Sequence, residues 1–232
     1  RKFDDKFGGF TGSRNKFPKP HDYIFLSRYY YKTKNKKSLD IVIRSLNEMK
    51  KGGIYDQIGF GFHRYSTDKK WLVPHFEKML YDQAMLIHAY LDAYLVTKDI
   101  FYKTVVQEII TYVLRDMTSK EGGFYSAEDA DSQGEEGTFY VWTISEINDL
   151  FDTSDSDLII DYYNLKEKGN WSHGRRYGQT NIFHVTEDSL IFSEGKSLDI
   201  NSFRNKINNI NKILFNSREK RVHPQKDDKI LT

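Results

Sequence analysis

The segment from Gly52 to Asp82 concentrates the side chains that are best suited to acid–base chemistry. It contains His63, His75 and the carboxyl group of Asp82, with several aromatic residues between them. Connecting segments normally favour small polar residues, so a loop with this many large and titratable side chains is expected to line a cavity. This segment is therefore the first candidate for a functional site.

His75 and Asp82 are the first pair of candidate catalytic residues. Proline fits the first turn of a helix, and the apolar residues after Pro74 recur at helical spacing, which predicts a helix from Pro74 to about Val96. On that helix His75 and Asp82 would share a face that looks into a cavity. Burial would raise the pKa of the Asp82 carboxyl, which suits acid–base catalysis. The alternative is that each side chain only hydrogen-bonds to its neighbours.

A second group of side chains is suited to holding a substrate. His63, Arg64 and Tyr65 are expected on a short strand, in which alternate side chains share a face. The guanidinium group of Arg64 offers fixed donors to carboxylates, phosphates or sugar hydroxyls, and the rings of Tyr65 and Trp71 are flat surfaces on which a sugar can stack. Alternatively, Arg64 only binds loop carbonyls. The predicted substrate-binding residues are His63, Arg64, Tyr65, Trp71, Glu77, Tyr81 and Asp129.

An acidic segment from Ser126 to Glu136 supplies further carboxylates. Part of it follows the spacing of a calcium-binding EF-hand loop, but Tyr140 stands where that loop requires a glutamate, so no metal site is predicted. Glu128 and Asp131 could instead form a carboxylate pair that faces the first pair across a cavity, as glycosidase-like or epimerase-like chemistry needs. A solvated acidic loop is the alternative. The predicted catalytic residues are His75, Asp82, Glu128 and Asp131, and no cofactor is expected.

The rest of the chain is expected to form helical hairpins that position these loops. Apolar spacing predicts helices over 21–34, 38–49, 74–96, 99–117, 143–151, 155–163 and 200–215, and irregular structure or a small hairpin over 169–193. Thr143 and Glu146 fit a capping box, and Gly52 and Gly53 are expected to end a helix in the left-handed conformation. Repeated α-hairpins bury their apolar faces against neighbours, which predicts a mainly α, open toroid or solenoid.

Composition limits the classes of function. The 232 residues are 38% hydrophobic and 15% aromatic, which is enough for the core of one domain spanning 1–232. The net charge is only +2, so a nucleic-acid partner is not expected. Cysteine, an apolar run of roughly 20 residues and a signal sequence are all absent from the sequence, which favours a soluble cytoplasmic protein without a membrane partner. HExxH, P-loop and GxSxG motifs are also absent.

Several longer motifs resemble one known family. They are GIYDQIG at 53–59, FHRYS at 62–66, WLVPHFEKMLYD at 71–82, GFYSAEDADS at 123–132 and TFYVW at 138–142. The chain is similar over nearly its whole length to the spermatogenesis-associated protein 20-like family of thioredoxin domain-containing proteins. The resemblance implies an (α/α)6 toroid of the six-hairpin glycosidase and N-acylglucosamine 2-epimerase type, with short β-hairpin loops at its pocket face.

The resemblance also implies that a thioredoxin-like domain precedes this segment and that further helices of the toroid follow it. The chain is then the N-terminal part of the toroid. Two functions are compatible with this organisation. The first is a carbohydrate-active enzyme with epimerase-like or glycosidase-like acid–base chemistry. The second is a non-catalytic toroid that binds a sugar or a protein segment for the attached thioredoxin-like domain.

Overall fold

The computed structural model describes residues 2–12, 14–171 and 180–231, and helices dominate this part of the chain. The helices are α1 (Pro20–Thr33), α2 (Lys36–Lys51), α3 (Leu80–Thr97), α4 (Ile100–Asp116), α5 (Ile144–Leu150), α6 (Thr153–Tyr162), α7 (Ser189–Gly195) and α8 (Ile200–Arg218). The strands are β1 (Tyr65–Ser66), β2 (Pro74–His75), β3 (Lys78–Met79), β4 (Phe124–Glu128), β5 (Asp131–Ser132), β6 (Glu135–Glu136) and β7 (Lys226–Leu231). The mainly α architecture predicted from the sequence is confirmed.

The first four helices form two hairpins around one hydrophobic core. In α2, Val42, Leu46 and Met49 recur at helical spacing and are fully buried, so one face of this helix packs inward. Tyr90 of α3 is buried in the same core, and its hydroxyl donates a hydrogen bond to the Leu46 carbonyl at 2.7 Å. This bond satisfies a buried polar group and ties the two hairpins together.

A second core lies among the helices α5 to α8, where Ile147, Ile159 and Phe203 are buried together. The capping box at the start of α5 is confirmed, because Thr143 Oγ1 accepts from the Glu146 backbone N–H and the Glu146 carboxylate accepts from the Thr143 backbone N–H. Helix α7 was not predicted. It occupies the end of the 169–193 segment, of which residues 172–179 lie outside the described part of the chain.

The helix predicted from Pro74 begins instead at Leu80. Strand β2 pairs with β1, and β3 pairs with β4. The backbone of β2 and β3 therefore hydrogen-bonds to these partner strands instead of forming the first turns of a helix. In addition, the Arg64 backbone N–H donates to the Glu77 carbonyl at 2.8 Å. The prediction that His75 and Asp82 share a helical face is therefore wrong. His75 precedes the helix, and Asp82 lies in its first turn.

The left-handed cap predicted at Gly52 and Gly53 is also wrong. The φ angle of Gly52 is −70°, and Gly53 is not among the glycines with positive φ. A Cβ atom on Gly52 would lie 2.4 Å from the Trp71 carbonyl oxygen, and one on Gly53 would lie 2.2 Å from that of Leu72. Glycine is needed here because the following loop passes directly against the backbone.

The short strands connect distant parts of the chain. β4 lies between β3 and β7 in a three-stranded sheet, with Lys78 opposite Glu128 and Ala127 opposite Asp227. β7 was not predicted, because a strand whose partner lies a hundred residues away has no local signal. Within the described part of the chain, no helix has the length and the apolar character needed to cross a membrane.

Candidate functional site

Two short hairpins and the start of α3 bring six of the predicted site residues into one cluster. β1 pairs with β2, so Tyr65 lies opposite His75, and their rings stack with centroids 4.9 Å apart. A carboxylate from β6 completes the group. The residues are Arg64, Tyr65, His75, Glu77, Tyr81, Asp82 and Glu136, and we call them the His75–Asp82 cluster.

The His75 imidazole is held between two carboxylates. Its Nδ1 atom lies 2.7 Å from Glu136 Oε1, and its Nε2 atom lies 3.6 Å from Glu77 Oε2. The hydrogen bond with Glu136 raises the pKa of His75 above its usual value, and this effect outweighs the opposing effect of burial. The protonated imidazole is therefore favoured more strongly here than in water.

Arg64 is paired within the cluster. Its Nη1 atom donates to Glu77 Oε2 at 2.7 Å. The side chain of Arg64 is nevertheless 40% exposed, and the ring of Tyr81 is an exposed aromatic surface. A guanidinium group has five N–H donors, so Arg64 can bind Glu77 and still donate to a ligand.

Asp82 has the most perturbed carboxyl group of the cluster. Burial raises its pKa to about 7, with Arg64 acting to lower the pKa and Glu77 acting to raise it. Its Oδ2 atom is buried and has no hydrogen-bond partner among the described residues. The cluster thus contains a carboxyl group whose pKa is about 7 and a histidine whose pKa is raised, and groups with perturbed pKa values are typical of sites for acid–base chemistry.

The other two predicted catalytic residues lie apart from this cluster. Glu128 is buried and accepts hydrogen bonds from the hydroxyls of Tyr112 at 2.8 Å and Tyr140 at 3.3 Å, while Asp131 is exposed. They do not form the expected carboxylate pair, because Glu128 lies opposite the buried Lys78 in the β3–β4 ladder and faces the interior. Asp129, a predicted substrate-binding residue, is exposed as well.

Two predicted substrate-binding side chains belong to the core. His63 is buried against Phe76, its Nδ1 atom lies 2.8 Å from the Phe76 carbonyl oxygen, and burial lowers its pKa to about 3, so it stays neutral. Trp71 is 0% exposed and donates from Nε1 to the Phe7 carbonyl at 2.8 Å. The ammonium group of Lys16 lies 4.7 Å from the Trp71 ring centroid. Neither ring presents a free face to a sugar, which corrects the prediction made for them.

Sequence reasoning missed a buried ionic network. Asp56 Oδ1 and Oδ2 accept from the two terminal nitrogens of Arg218 at 2.8 and 2.9 Å, and Oδ2 also accepts from Lys78 Nζ at 2.9 Å. All three side chains are buried, and the Lys78 ammonium lies 4.3 Å from the Tyr112 ring centroid. The only local signal was Lys78, a lysine at a core position of a mainly apolar pattern. Arg218 lies 162 residues from Asp56, so no local pattern predicts their contact.

The described part of the chain contains no group of three or more histidine or carboxylate side chains arranged to hold a metal ion. Two of the three carboxylates of the cluster instead bind basic side chains of the protein. Glu77 binds Arg64, and Glu136 binds His75. The cluster therefore offers paired charges and one carboxyl oxygen, Asp82 Oδ2, that has no hydrogen-bond partner among the described residues.

Comparison with known proteins identifies relatives but no matching family model. Human spermatogenesis-associated protein 20 is 38% identical over 253 aligned residues, which cover 99% of this chain and 32% of that protein. An uncharacterized protein of Caenorhabditis elegans is 35% identical, with 99% of this chain and 34% of that protein covered. The chain thus spans about a third of the length of these relatives.

Among solved structures, the cellobiose 2-epimerase from Bacillus thermoamylovorans B4167 superimposes with a TM-score of 0.51 at 16% identity. The match covers 59% of this chain and 39% of the epimerase, and at this identity it shows the fold alone. The helical hairpins of this chain are those of part of an (α/α)6 toroid. Over the region that it covers, the chain belongs to the spermatogenesis-associated protein 20-like family.

Proposed function

We propose that the His75–Asp82 cluster binds a carbohydrate and catalyses proton transfer on it, as epimerases and isomerases do. The observation that carries the proposal is the Asp82 carboxyl, whose Oδ2 atom is buried without a partner among the described residues and whose pKa is about 7. A carboxyl group with this pKa can both accept and return a proton at neutral pH.

The proposed reaction begins with a sugar in its open-chain carbonyl form. The Asp82 carboxylate removes the proton from the carbon next to the carbonyl group, and the His75 imidazolium gives a proton to the carbonyl oxygen. The product of this step is an enediol, with Asp82 protonated and His75 neutral. The enediol then rotates so that its other face meets the protonated Asp82 carboxyl. Asp82 returns the proton to the same carbon and the hydroxyl proton returns to His75, which gives the epimer and restores both groups.

Other residues of the cluster support sugar binding. The partly exposed guanidinium group of Arg64 can donate to hydroxyl groups, and the ring of Tyr81, which is 50% exposed, can stack on a sugar. Hydrolysis is less well supported, because a glycosidase needs two carboxyl groups that flank the scissile bond. Here Glu77 is bound to Arg64 and Glu136 is bound to His75.

A non-catalytic toroid that binds a sugar or a protein segment, in a protein that also carries a thioredoxin-like domain, is the second candidate. The observation in its favour is the exposure of Arg64 and Tyr81, which is typical of an open binding surface. The two candidates differ in whether a carbon-bound proton of the sugar exchanges with solvent.

Proton exchange tests the proposal directly. The protein is incubated with monosaccharides and with cellobiose in D2O, and loss of the proton next to the carbonyl carbon is followed by NMR. We expect exchange by the wild type, a decrease of about 10² to 10⁴-fold in Asp82→Asn, and wild-type exchange in Asp131→Asn, which changes an exposed carboxyl outside the cluster. Undiminished exchange in Asp82→Asn would contradict the proposal, and binding without exchange would favour the non-catalytic role.

A further inference from the structure

We propose that the cleft between α4 and α8 is a second ligand site, which binds an anionic sugar independently of the His75–Asp82 cluster. The cleft has a volume of about 1000 Å³. Residues of α4 and α8 form most of its lining, and residues at the ends of α2 and α6 also line it. Of the described residues, those that line this cleft include no member of the cluster.

Aromatic rings line the cleft. Phe101 of α4, Tyr162 of α6 and Phe215 of α8 are all half-buried there, together with Phe60 from the loop after α2. The exposed parts of these rings can pack against the apolar C–H surface of a sugar ring. A cleft of this volume has room for more than one sugar ring.

The α8 wall also carries carboxamide groups. Asn208, Asn211 and Asn216 line the cleft on this helix. The Asn211 Oδ1 atom accepts a hydrogen bond from the Tyr163 hydroxyl at 2.8 Å, which fixes the orientation of that amide and leaves its NH2 group to donate. Side-chain amides both donate and accept, so they match hydroxyl groups, which do the same.

The same wall carries two cations without a carboxylate partner among the described residues. They are Arg204 and Lys212, and both are exposed. The Arg204 Nε atom donates to Ser189 Oγ at 3.1 Å, so its terminal nitrogens remain for a ligand. Arginine binds carboxylate and phosphate groups through two parallel hydrogen bonds, and lysine binds them as a point charge.

The other charged side chains of the cleft have partners within the fold. Lys50 lies 3.4 Å from Glu108, and the Glu108 carboxylate also accepts from the Tyr55 hydroxyl at 2.7 Å. Asp99 caps α4 by accepting from a backbone N–H. The α8 wall therefore gives the cleft a local positive charge. A ligand that matches rings, amides and cations together is a sugar with a carboxylate or phosphate group.

Calorimetric titration tests this site with four probes, which are glucuronate, glucose 6-phosphate, glucose and inorganic phosphate. We expect one or both anionic sugars to bind at least about tenfold more tightly than glucose, since a charged hydrogen bond is worth more than a tenfold gain in affinity. The preferred anionic sugar shows whether the site takes a carboxylate or a phosphate. Binding should be weaker for inorganic phosphate, which lacks the sugar ring.

Three variants locate the site. Lys212→Gln and Arg204→Gln are each expected to weaken binding of the anionic sugar by about tenfold. Lys103→Gln, which removes an exposed lysine of α4 outside the cleft, should bind like the wild type. Asn208→Asp, which adds a negative charge to the α8 wall without removing a contact within the fold, should also weaken binding.

Equal affinity for glucose and for the anionic sugars would overturn the proposal, as would wild-type affinity in Lys212→Gln, Arg204→Gln and Asn208→Asp. The absence of binding by any sugar at millimolar concentration would overturn it too. Asp82→Asn separates the two sites, because it should slow proton exchange by about 10² to 10⁴-fold while leaving the affinity of the cleft unchanged.

Discussion

The Nδ1 atom of His75 lies 2.7 Å from Glu136 Oε1, although 61 residues separate the two in the chain. The same carboxylate oxygen accepts from the Phe76 backbone N–H at 3.1 Å. Glu136 is therefore fixed by the backbone and in turn fixes the imidazole. This contact joins the β5–β6 hairpin to the β1–β2 hairpin and controls the protonation of His75.

Glu136→Gln is expected to lower the pKa of His75, because it removes the largest cause of its increase. A histidine whose pKa is higher in the folded state stabilises the fold below its unfolded pKa and loses this effect as pH rises through the folded pKa. The variant should thus be less stable by about 1 kcal/mol at pH 6 and nearly unchanged at pH 9. NMR titration of the imidazole and urea unfolding measure the two effects, with Glu121→Gln as an exposed control. An unchanged pKa of His75 would contradict the assignment.

Asp82→Asn is expected to stabilise the protein at alkaline pH. Because the pKa of Asp82 is about 7 in the folded state against 3.8 for an ordinary aspartate, ionisation favours unfolding as pH rises from 3.8 to 7. The gain in unfolding free energy over wild type should be about 2–3 kcal/mol larger at pH 8 than at pH 5, at about 1.4 kcal/mol per pKa unit. Urea unfolding at both pH values measures it. The same pH dependence in Asp131→Asn would show that Asp82 is not the cause.

Asp56→Asn should destabilise the fold strongly. Burial alone would raise the pKa of Asp56, but Arg218 and Lys78 hold it well below the usual range, so this carboxylate stays ionised between them. Its removal leaves two buried cations without a counter-charge, at a cost of about 3–5 kcal/mol. Asp92→Ala, which breaks the more exposed pair with Arg28, should cost at most about 1 kcal/mol. Equal losses of stability in urea unfolding would contradict a structural role for the network.

Gly137→Ala and Gly134→Ala form a matched pair. Their φ angles are +79° and +78°, so both substitutions carry the same backbone strain of about 1 kcal/mol. A Cβ atom on Gly137 would also lie 2.6 Å from a ring carbon of Phe76, whereas one on Gly134 meets nothing within 4 Å. We expect Gly137→Ala to cost at least about 1–3 kcal/mol more, as overpacking of a core does. Similar melting temperatures for the two variants would argue against this close contact.

Local signals were sufficient for most of the helices. The hairpin formed by α1 and α2 and the capping box at Thr143 follow from apolar spacing and side-chain chemistry within a few residues. The segment from Pro74 to Met79 was mispredicted as a helix because that prediction also rests on local spacing alone. Its apolar spacing suits a helix, but β1 and β4 compete for its backbone, and both lie outside the window in which spacing can be read.

The candidate site was predictable only in part. Residue types pointed to Arg64, Tyr65, His75 and Asp82, because few other side chains can hold a sugar or move a proton at neutral pH. They pointed equally to Trp71, which is buried in the core. A side chain's chemistry can be read from the sequence, whereas its exposure depends on which distant elements cover it.

The sequence by itself determined the helical hairpins, the absence of cysteine and the motifs that mark the family. Only the tertiary structure decided which charges meet: His75 with Glu136, Asp56 with Arg218 and Lys78, and Asp82 with no hydrogen-bond partner for its buried Oδ2 atom among the described residues. The physical reason is the separation along the chain of the residues that interact. Helix formation depends on neighbours within a few residues, whereas burial and ion pairing, which set the pKa of each site residue, depend on contacts between residues far apart in the chain.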